Sequence, residues 1–445
     1  MDAAQPNTSK PDTDASKDAS PAQFLALTCQ RGAENALKNE MARRRPNWKF
    51  SYSRPGFLTF KAPAPESLEK RLAITVPSLR LVFARSCVHL LGAALQKDLH
   101  DADGRFDRVA AAKRVWALVD EQIGPNSRDF AEAQRLARPA KRVARIHVFE
   151  RDRFNMGVRD FEPGITDLAR EIHKILFDAA PEETRQNFAR GAERLDVPAD
   201  PGELCLDVVL VEENEWRVGL HRVGDFHSRW PGGLLDMKQP TDAASRAFLK
   251  FEEGLRWAEF PIGIGSRCVD IGAAPGGGSQ ALLARGAETL GVDPAAMAPQ
   301  LLAHPHFTHI RGKIGQVRRK LFRKSRWFIT DMNVAPSYTL DALEELVGRE
   351  DVAARGLLFT LKLFDWKLAE EIPSYLARVK SWGFNVVKAR QLQFNRQEIM
   401  VAALKKPFHK DERAPRRDEK KNRKGQTRAA RKEDRDSSRR PIDER

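Results

Sequence analysis

Short apolar runs alternate with amphipathic segments along the second half of this 445-residue chain. A leading helix is predicted at 243–257, and after it several runs have the length and apolar content of strands, with helical segments between them. The predicted strands are Arg267–Ile271, Glu288–Val292, Phe307–Ile310, Trp327–Thr330, Gly356–Leu361, Asn385–Arg390 and Glu398–Leu404. Such alternation is typical of a doubly wound α/β sheet. Because only Gln391–Gln397 joins the last two strands, we expect them to form an antiparallel pair at the sheet edge.

The first half of the chain has a less regular pattern, which predicts an α+β region. The predicted strands are Phe24–Cys29, Gly56–Phe60, Leu79–Leu91, Val143–Phe149 and a hairpin of Cys205–Val211 with Trp216–Val223. The predicted helices are Gly32–Arg44, Phe106–Ile123 and Ile165–Ala180. Periodicity of this kind fits an RNA-binding module, but any compact α/β domain would show the same pattern.

The composition of three segments predicts where the folded regions begin and end. Residues 1–21 and 407–445 are polar and charged, and we expect them to be disordered because they cannot bury enough apolar surface to offset the entropy of ordering. Residues 225–242 are rich in His, Trp, Pro, Gly and Asp and are interpreted as a linker. The predicted folded regions are therefore 22–224 and 243–406.

The chain is basic, with a formal net charge of +15. Residues 405–445 contain 17 Lys and Arg against 9 Asp and Glu, which accounts for +8 and leaves +7 on the rest. A basic surface attracts polyanions, and binding to phosphates releases condensed counterions, so the charge favours a nucleic-acid partner. A solvated tail that serves only solubility explains the same charge and stays open.

The remaining composition argues against a membrane or disulfide-linked protein. The first residues have no apolar signal region, and no later stretch approaches the roughly 20 apolar residues that span a bilayer. The four cysteines, at 29, 87, 205 and 268, lie far apart and lack the paired spacing of a zinc or disulfide framework. We therefore predict buried thiols and a cytoplasmic location.

A glycine-rich turn, Asp270–Gly278, follows the first strand of the second region. Its glycines allow a sharp turn and a close approach to a ligand, and the next helix offers free N–H groups. The spacing differs from the dinucleotide fingerprint G-x-G-x-x-G, which disfavours hydride chemistry. Asp293 ends the next strand, where a carboxylate can accept the hydroxyl hydrogens of a ribose. Together these features favour a nucleoside-like ligand over an ordinary structural turn.

Two further polar residues end predicted strands on the side where ligands of open α/β sheets bind. Asp331 follows the strand Trp327–Thr330, and Lys362 interrupts the apolar run 357–364. A buried ammonium must be paired or lose its proton, so a lysine in this run favours a function over a merely structural role. The alternative is a surface Asp and Lys.

The motifs of the second region, taken together, resemble the FtsJ-like ribose methyltransferases. The similar segments are Ser245–Glu253, Val269–Gly277, Thr330–Met332, Phe359–Leu363 and Ala389–Glu398, in that order and spacing. The resemblance is strong over about 240–404 and is nearest to the RlmM-type enzymes, which methylate a cytidine 2′-oxygen in 23S ribosomal RNA. A looser similarity over Leu81–Arg85 and the hairpin at 205–223 extends to the THUMP-containing RNA-binding region of that family.

This resemblance implies a Rossmann-like methyltransferase domain that uses S-adenosylmethionine, requires no metal and acts on RNA, either 23S ribosomal RNA or a large-subunit precursor. It implies neither a DNA partner nor a membrane partner, and we expect a monomer. The family's Lys-Asp-Lys-Glu tetrad matches Lys250, Asp331, Lys362 and Glu398. The implied cofactor-binding residues are Asp270, Gly272, Ala273, Ala274, Pro275, Gly276, Gly277, Asp293 and Asp331. Physical reasoning adds that Lys362, as the base or an orienting group, needs some neutral amine, and that Lys250 would lower the pKa of Lys362 while Asp331 opposes that shift.

The chain departs from the family at two places. Gly278 stands where an aromatic residue is common and is expected to widen the pocket, and Arg311–Lys313 lacks the acidic residue expected near the adenine. These departures leave open a second hypothesis, a non-catalytic RNA-binding or ribosome-assembly factor on a methyltransferase fold. A small-molecule or protein methyltransferase is disfavoured by the charge and the lysine pair. His304, His306 and His309 cluster without acidic or cysteine partners, so no metal site is predicted there.

Overall fold

A computed structural model of the chain describes residues 22–127, 131, 142–348 and 352–405. The chain divides into two compact units, Met1–Asp236 and Met237–Arg445. The division falls inside the segment interpreted as a linker, 225–242. The two segments predicted to be disordered, 1–21 and 407–445, lie outside the described residues. No helix among the described residues has the length and apolar character needed to cross a bilayer.

The first unit is built on a seven-stranded mixed sheet with the order β2-β3-β1-β4-β7-β6-β5. Its strands are β1 (Phe24–Thr28), β2 (Lys49–Arg54), β3 (Phe57–Lys61), β4 (Ser86–Leu95), β5 (Val143–Glu150), β6 (Leu204–Glu212) and β7 (Glu215–Arg222). The pairs are antiparallel except for β5 and β6, which run parallel. The described helices of this unit are Glu34–Arg44, Leu68–Leu72, Val76–Leu79, Arg108–Ile123, Asp167–Asp178 and Glu182–Arg185.

Two details of the first sheet differ from the sequence prediction. The predicted strand Leu79–Leu91 is wrong at its start, because Val76–Leu79 forms a helical turn that Thr75 caps and the strand begins only at Ser86. Strand β2 was not predicted, since it lies at the sheet edge with most of its residues exposed and lacks an apolar alternation.

After β7 the chain forms two short 3₁₀ turns, His227–Arg229 and Pro231–Gly233. They lie against the first sheet: a Cβ at Gly232 would be 2.5 Å from the ring of Phe149. Pro231, Gly232 and Gly233 are buried. This part of the segment interpreted as a linker therefore packs as a cover on one face of the first unit.

The second unit contains a seven-stranded sheet with the order β10-β9-β8-β11-β12-β14-β13. Its strands are β8 (Arg267–Ile271), β9 (Glu288–Val292), β10 (Phe307–Ile310), β11 (Trp327–Thr330), β12 (Gly356–Lys362), β13 (Val386–Arg390) and β14 (Glu398–Leu404). The described helices are Ala247–Ala258, Gly277–Leu283, Pro299–Leu302, Pro336–Val347 and Ile372–Ser381. The strands agree with the prediction to within one residue at each end, and the doubly wound, Rossmann-like fold is confirmed.

The second sheet brings several strand ends together on one side, which is called the carboxyl edge here and is distinct from the outermost strands β10 and β13. Strands β8 to β12 run parallel, so their carboxyl ends point the same way, while β14 runs antiparallel to β12 and begins at that edge. The predicted antiparallel pairing of β13 with β14 is confirmed. Helix Ala247–Ala258 lies close against the sheet, because a Cβ at Gly254 would be 3.2 Å from both Leu358 and Met400. The edge therefore gathers side chains from strands, turns and this helix.

Candidate active site

Four side chains from four separate elements meet at the carboxyl edge of the second sheet and form a closed ring. Lys250 Nζ lies 3.0 Å from Asp331 Oδ2 and 2.7 Å from Glu398 Oε1. Lys362 Nζ lies 2.6 Å from Asp331 Oδ1 and also donates to Glu398 Oε2. Each ammonium therefore contacts both carboxylates. The structure brings together all four residues that the sequence singled out.

Strand register explains how these residues come to face one another. Lys362 is the last residue of β12 and pairs directly with Glu398, the first residue of β14. Asp331 follows β11, which runs parallel to β12 with Thr330 opposite Phe359. Lys250 reaches the same place from the helix Ala247–Ala258. A one-residue slip between β12 and β14 would turn Glu398 to the other face of the sheet.

The ring is largely but not completely shielded from solvent. The Glu398 side chain is 3% exposed, whereas those of Lys362, Lys250 and Asp331 are 11%, 13% and 15% exposed. Ionic interactions in such a setting are stronger than on an open surface, because less water screens them. Lys362, Lys250 and Asp331 therefore keep a limited access to solvent, which is the side from which a substrate would approach the ring.

The pKa directions follow from burial opposed by the neighbouring charges. Burial favours a higher pKa for Asp331, but Lys250, Lys362 and a hydrogen bond from Thr360 outweigh it and hold the pKa of Asp331 below its usual value. Burial favours a lower pKa for Lys362, but Glu398 and Asp331 outweigh it and raise the pKa of Lys362. Of the two opposing effects expected on Lys362, the carboxylates prevail and the pKa of Lys362 is raised, because Glu398 contacts the same ammonium as Asp331.

Thr360 is a member of the site that the sequence analysis missed. Its hydroxyl donates to Asp331 Oδ1 over 2.6 Å, so that oxygen accepts from both Thr360 and Lys362. Strand periodicity could have identified it, because residues two apart on β12 point to the same face and Lys362 was already a candidate.

A second missed group holds the loop that leads into Glu398. Glu253, fully buried on the helix Ala247–Ala258, accepts the backbone N–H of Gln393 at 2.9 Å and of Phe394 at 3.1 Å. The side-chain amide of Asn395, also fully buried, donates to Glu398 Oε1 over 3.3 Å. An acidic residue three positions after Lys250 on an apolar helix face was the available signal, since i and i+3 share one face.

Replacing Glu253 by Gln is expected to destabilise the protein by about 1–3 kcal/mol, because the amide NH₂ cannot accept the second backbone N–H and leaves it buried without a partner. The loop that carries Asn395 should loosen, and any activity that needs Glu398 should fall with it. Urea unfolding and an activity assay measure the two effects. Glu259→Gln, an exposed change just beyond the same helix, is the control; unchanged stability in Glu253→Gln would contradict this account.

The glycine-rich turn lies at the same edge, after β8, and two of its glycines are required by geometry. Gly276 has φ +125°, and a Cβ there would be 1.9 Å from a methyl group of Leu301. A Cβ at Gly277 would be 2.4 Å from Ser245 Oγ and 2.8 Å from the backbone N of Phe248. The lack of a side chain at Gly277 therefore lets the start of helix Gly277–Leu283 lie directly against the segment that leads to Lys250.

The two carboxylates predicted beside the turn have different environments. Asp270 is buried, and its Oδ2 accepts the Ser279 hydroxyl at 2.8 Å. Asp293 is half-buried at the end of β9, where its oxygens accept the backbone N–H of Ala274 at 3.1 Å and of Ala295 at 2.7 Å. Each carboxylate oxygen of Asp293 keeps a free lone pair. The accessible acceptor at the strand end and the bare backbone of the turn fit the ribose of a nucleoside, whereas Asp270 supports the turn from within.

Burial raises the pKa of Asp270 to about 7, with further contributions from the charges of Asp331 and Asp293 against the hydrogen bonds from Ser279. The folded protein thus binds a proton that the unfolded chain, with a pKa near 3.9, has already released. The contribution of Asp270 to stability should therefore fall as the pH rises from about 4 to about 7 and stay level above that.

Replacing Asp270 by Asn is expected to remove this loss, which amounts to about 4 kcal/mol at most for a shift of roughly three pKa units. The measurement is urea unfolding of the full chain and of the variant across that pH range. Asp103→Asn, at a position where the side chain is 74% exposed, should keep the wild-type pH dependence. Parallel curves for wild type and Asp270→Asn would show that Asp270 ionises normally.

The structure shows the surroundings of both departures from the family pattern. A Cβ at Gly278 would be 2.9 Å from Asp270 Oδ2 and from the ring of Phe251, so the expectation of a wider pocket at Gly278 is wrong. Residues 311–313 follow the edge strand β10, and the Arg311 guanidinium donates to the carbonyl of Pro294. A Cβ at Gly312 would meet no atom within 4 Å.

Comparisons with known proteins agree with the geometry. The family model described as FtsJ-like methyltransferase matches residues 243–398. The ribosomal RNA large subunit methyltransferase M of Edwardsiella ictaluri is 32% identical over 399 residues, which is 83% of this chain and 98% of that protein. The same-named protein of Marinobacter nauticus is 30% identical over 258 residues, 52% of this chain and 70% of that protein. The one of Laribacter hongkongensis is 31% identical over 183 residues, so this chain matches about half (51%) of that relative's length.

Proposed function

This chain belongs to the ribosomal RNA large subunit methyltransferase M family, and from that premise we propose that it transfers the methyl group of S-adenosylmethionine to a ribose 2′-hydroxyl of large-subunit ribosomal RNA. The observation that carries the proposal is the closed ring of Lys250, Asp331, Lys362 and Glu398 beside the glycine-rich turn. The proposal further includes a cytidine of 23S ribosomal RNA as the target nucleotide, and a protein that acts as a monomer in the cytoplasm.

Cofactor binding is proposed for the residues at the turn. Asp293 would accept hydrogen bonds from the ribose hydroxyls of the adenosyl group. The backbone of Gly272–Gly277 would lie against the rest of the cofactor, and Asp331 would contact both the cofactor and the other tetrad residues. When bound, S-adenosylmethionine supplies an electrophilic methyl group on a sulfonium. Transfer of a methyl group from a sulfonium to an oxygen requires no metal in this proposal.

The tetrad would prepare the attacking oxygen. A 2′-hydroxyl that enters on the open side of the ring displaces one carboxylate from Lys362 and takes its place beside Nζ. The contacts that raise the pKa of Lys362 are then weakened, while Lys250 remains close and disfavours a second positive charge. After Lys362 has released one proton to water, its neutral amine can accept the hydroxyl proton, and Glu398 holds the ammonium that forms in place.

Positioning would supply most of the rate. Holding the oxygen in line with the methyl carbon contributes up to roughly 7–11 kcal/mol for well-oriented partners. The buried ring is suited to this, because each of its side chains is fixed by at least two contacts. Thr360 and Asn395 restrain the two carboxylates from outside the ring.

The deciding experiment is methyl transfer from labelled S-adenosylmethionine to naked 23S ribosomal RNA and to a large-subunit precursor particle, with the modified nucleotide mapped in cells that have and lack the protein. We expect one ribose methylation that depends on the protein. Calorimetric titration with S-adenosylmethionine separates the alternatives, because a chain without detectable binding would act as a non-catalytic assembly factor.

RNA binding is proposed for the first unit, as a THUMP-like region. A cleft of about 440 Å³ is lined by three basic residues, two amides and one acid: Arg31, Lys38, Arg54, Asn35, Asn155 and Glu34. The Glu34 carboxylate accepts the backbone N–H of Gly32 and of Gly56. Arg31 and Arg54 are exposed, and the Lys38 ammonium lies over the ring of Phe50 at 4.1 Å. Basic groups around a cleft with amide side chains are suited to phosphate contacts.

Replacing Arg31 or Arg54 by Ala should weaken RNA binding without changing which sequence is preferred. Each lost phosphate contact should reduce the slope of log affinity against log salt by about 0.7–0.9. Fluorescence anisotropy with a labelled ribosomal RNA fragment at several salt concentrations measures this slope. Arg105→Ala, at a side chain 80% exposed elsewhere in the unit, should leave the slope unchanged; equal slopes for all variants would exclude the cleft.

A further inference from the structure

A buried cluster in the first unit has the composition of a metal site. His147, Cys205 and His221 lie on β5, β6 and β7, and each offers a ligand atom within 4.8 Å of the other two. Cys205 pairs directly with His221, and Asp207, two residues further along β6, pairs with His147. Residues opposite each other or two apart point to the same face of a sheet, so all four side chains share one side.

His147 has no hydrogen-bond partner that would explain its burial. Its residue is 1% exposed, and neither ring nitrogen has a partner among the described residues. Its Nδ1 lies 3.8 Å from Asp207 Oδ1, which is too long for a hydrogen bond. Buried polar atoms are almost always satisfied, so two unpaired ring nitrogens on one buried imidazole indicate a group that these residues would bind.

His221 already has the orientation of a ligating imidazole. Its Nδ1 lies 2.5 Å from Asp207 Oδ2, and its Nε2 lies 2.8 Å from the carbonyl oxygen of Ser228. Ligating histidines commonly bind the metal through one nitrogen and donate the other N–H to a backbone carbonyl or carboxylate. The Ser228 carbonyl would hold His221 with Nδ1 toward the cluster.

We propose that His147, Cys205 and His221 bind a zinc ion, with a carboxylate oxygen of Asp207 as the fourth ligand. One thiolate, two imidazoles and one carboxylate are a donor set that zinc accepts in tetrahedral geometry. Tetrahedral ligands at zinc bond lengths lie roughly 3.3–3.8 Å apart, so shifts of about 1 Å would bring in His147, Cys205 and His221, whose ligand atoms lie within 4.8 Å of one another. The Asp207 carboxylate, which lies 2.5 Å from His221 Nδ1, would turn from that nitrogen to the ion.

Binding is an exchange of protons for the metal. Bonds form from zinc to Cys205 Sγ, to one nitrogen of each histidine and to the Asp207 carboxylate. The Cys205 thiol proton and the proton between His221 and Asp207 are released to water. The thiolate and the carboxylate then balance the two positive charges of the ion, which removes the cost of an unpaired buried charge.

The site would be structural and independent of methyl transfer. It would tie β5, β6 and β7 together and, through the Ser228 carbonyl, fix the cover that begins after β7. With all four positions of the metal taken by protein, no site remains for a substrate. Motif spacing does not predict this site, because its ligands lie on three strands and are far apart in the chain.

The test is metal analysis of the purified full chain, followed by removal of metal with a chelator and titration with cobalt(II) as a spectroscopic substitute. We expect about one zinc per chain as purified or after reconstitution, and tetrahedral cobalt bands with a thiolate charge-transfer band. Cys205→Ser should abolish the charge-transfer band, and His147→Gln should reduce zinc content to near zero. Cys268→Ser, which removes a buried thiol of the other unit, is the matched control.

Two outcomes would overturn the proposal. Wild-type protein that takes up neither zinc nor cobalt would show that the cluster is only a buried polar network. Metal that binds equally well to the wild type and to both cluster variants would lie elsewhere. The wild-type measurement decides the question even if a variant does not fold, and methyl transfer that persists in metal-free protein is expected either way.

Discussion

Replacing Lys362 by Ala is expected to lower methyl transfer by roughly 10²–10⁴-fold, the usual contribution of a positioned proton-transfer group. The change removes the amine beside the attacking oxygen and leaves Asp331 and Glu398 to share Lys250 alone. Single-turnover methylation of ribosomal RNA with labelled S-adenosylmethionine measures the loss directly. Cofactor affinity, measured by calorimetry, should change much less, because Lys362 is not among the residues proposed to hold the adenosyl group.

A role as base makes two further demands on Lys362. Because the neighbouring carboxylates raise the pKa of Lys362, the neutral amine is scarce near neutral pH, so the wild-type rate should rise by up to about tenfold per pH unit until that pKa is passed. A small primary amine added to the solution should partly restore the methyl-transfer rate of the Lys362→Ala variant. Lys367→Ala, an exposed lysine after the same strand, should be fully active; Lys362→Ala at wild-type activity would remove the mechanism.

Replacing Glu398 by Ala is expected to combine a loss of activity with a loss of stability of about 3–5 kcal/mol, the range found when one partner of a buried ion pair is removed. Glu398 is the most shielded member of the ring and contacts both ammoniums. Without it, Lys250 and Lys362 face each other with Asp331 as their shared counterion. Urea unfolding and the methylation assay measure the two losses.

A double substitution distinguishes charge balance from packing. Lys250→Met combined with Glu398→Ala restores neutrality, so the double variant should be more stable than the sum of the single changes by an interaction energy of about 0.5–3 kcal/mol. Gln397→Ala, an exposed neighbour of Glu398, serves as the control for the strand start. Strict additivity would mean that the ring does not act as one electrostatic unit.

The residues that contact the tetrad or its loop from outside the ring, Thr360 and Glu253, were not predicted from the sequence. Thr360 and Glu253 act on Asp331 and on the loop before Glu398 through contacts 29 and 140 positions apart in the chain. Hydrophobic patterning placed both on the right elements but could not show which polar group each one meets. The same limit applies to His147, Cys205 and His221, which are separate in the chain and adjacent in the sheet.

The pKa of Lys362 and the effect of Gly278 both depend on atoms that come from other segments of the chain. The start of β4 was missed for a local reason, because Thr75 caps the helical turn Val76–Leu79. Two carboxylates reverse the influence expected from Lys250, and the Phe251 ring fills the space that Gly278 was expected to open.

The sequence by itself determined the doubly wound fold and the strands of the second unit, because the hydrophobic period is a local property that burial converts into strands and helices. The four tetrad residues were singled out by the resemblance of their motifs to the FtsJ-like family. Only the tertiary structure decided the closed alternation of charges, the direction of the pKa of Lys362 and the cluster on β5, β6 and β7. Charge interactions and hydrogen bonds act over a few ångströms in space regardless of distance along the chain, so they are defined only once the sheet register has brought those side chains together.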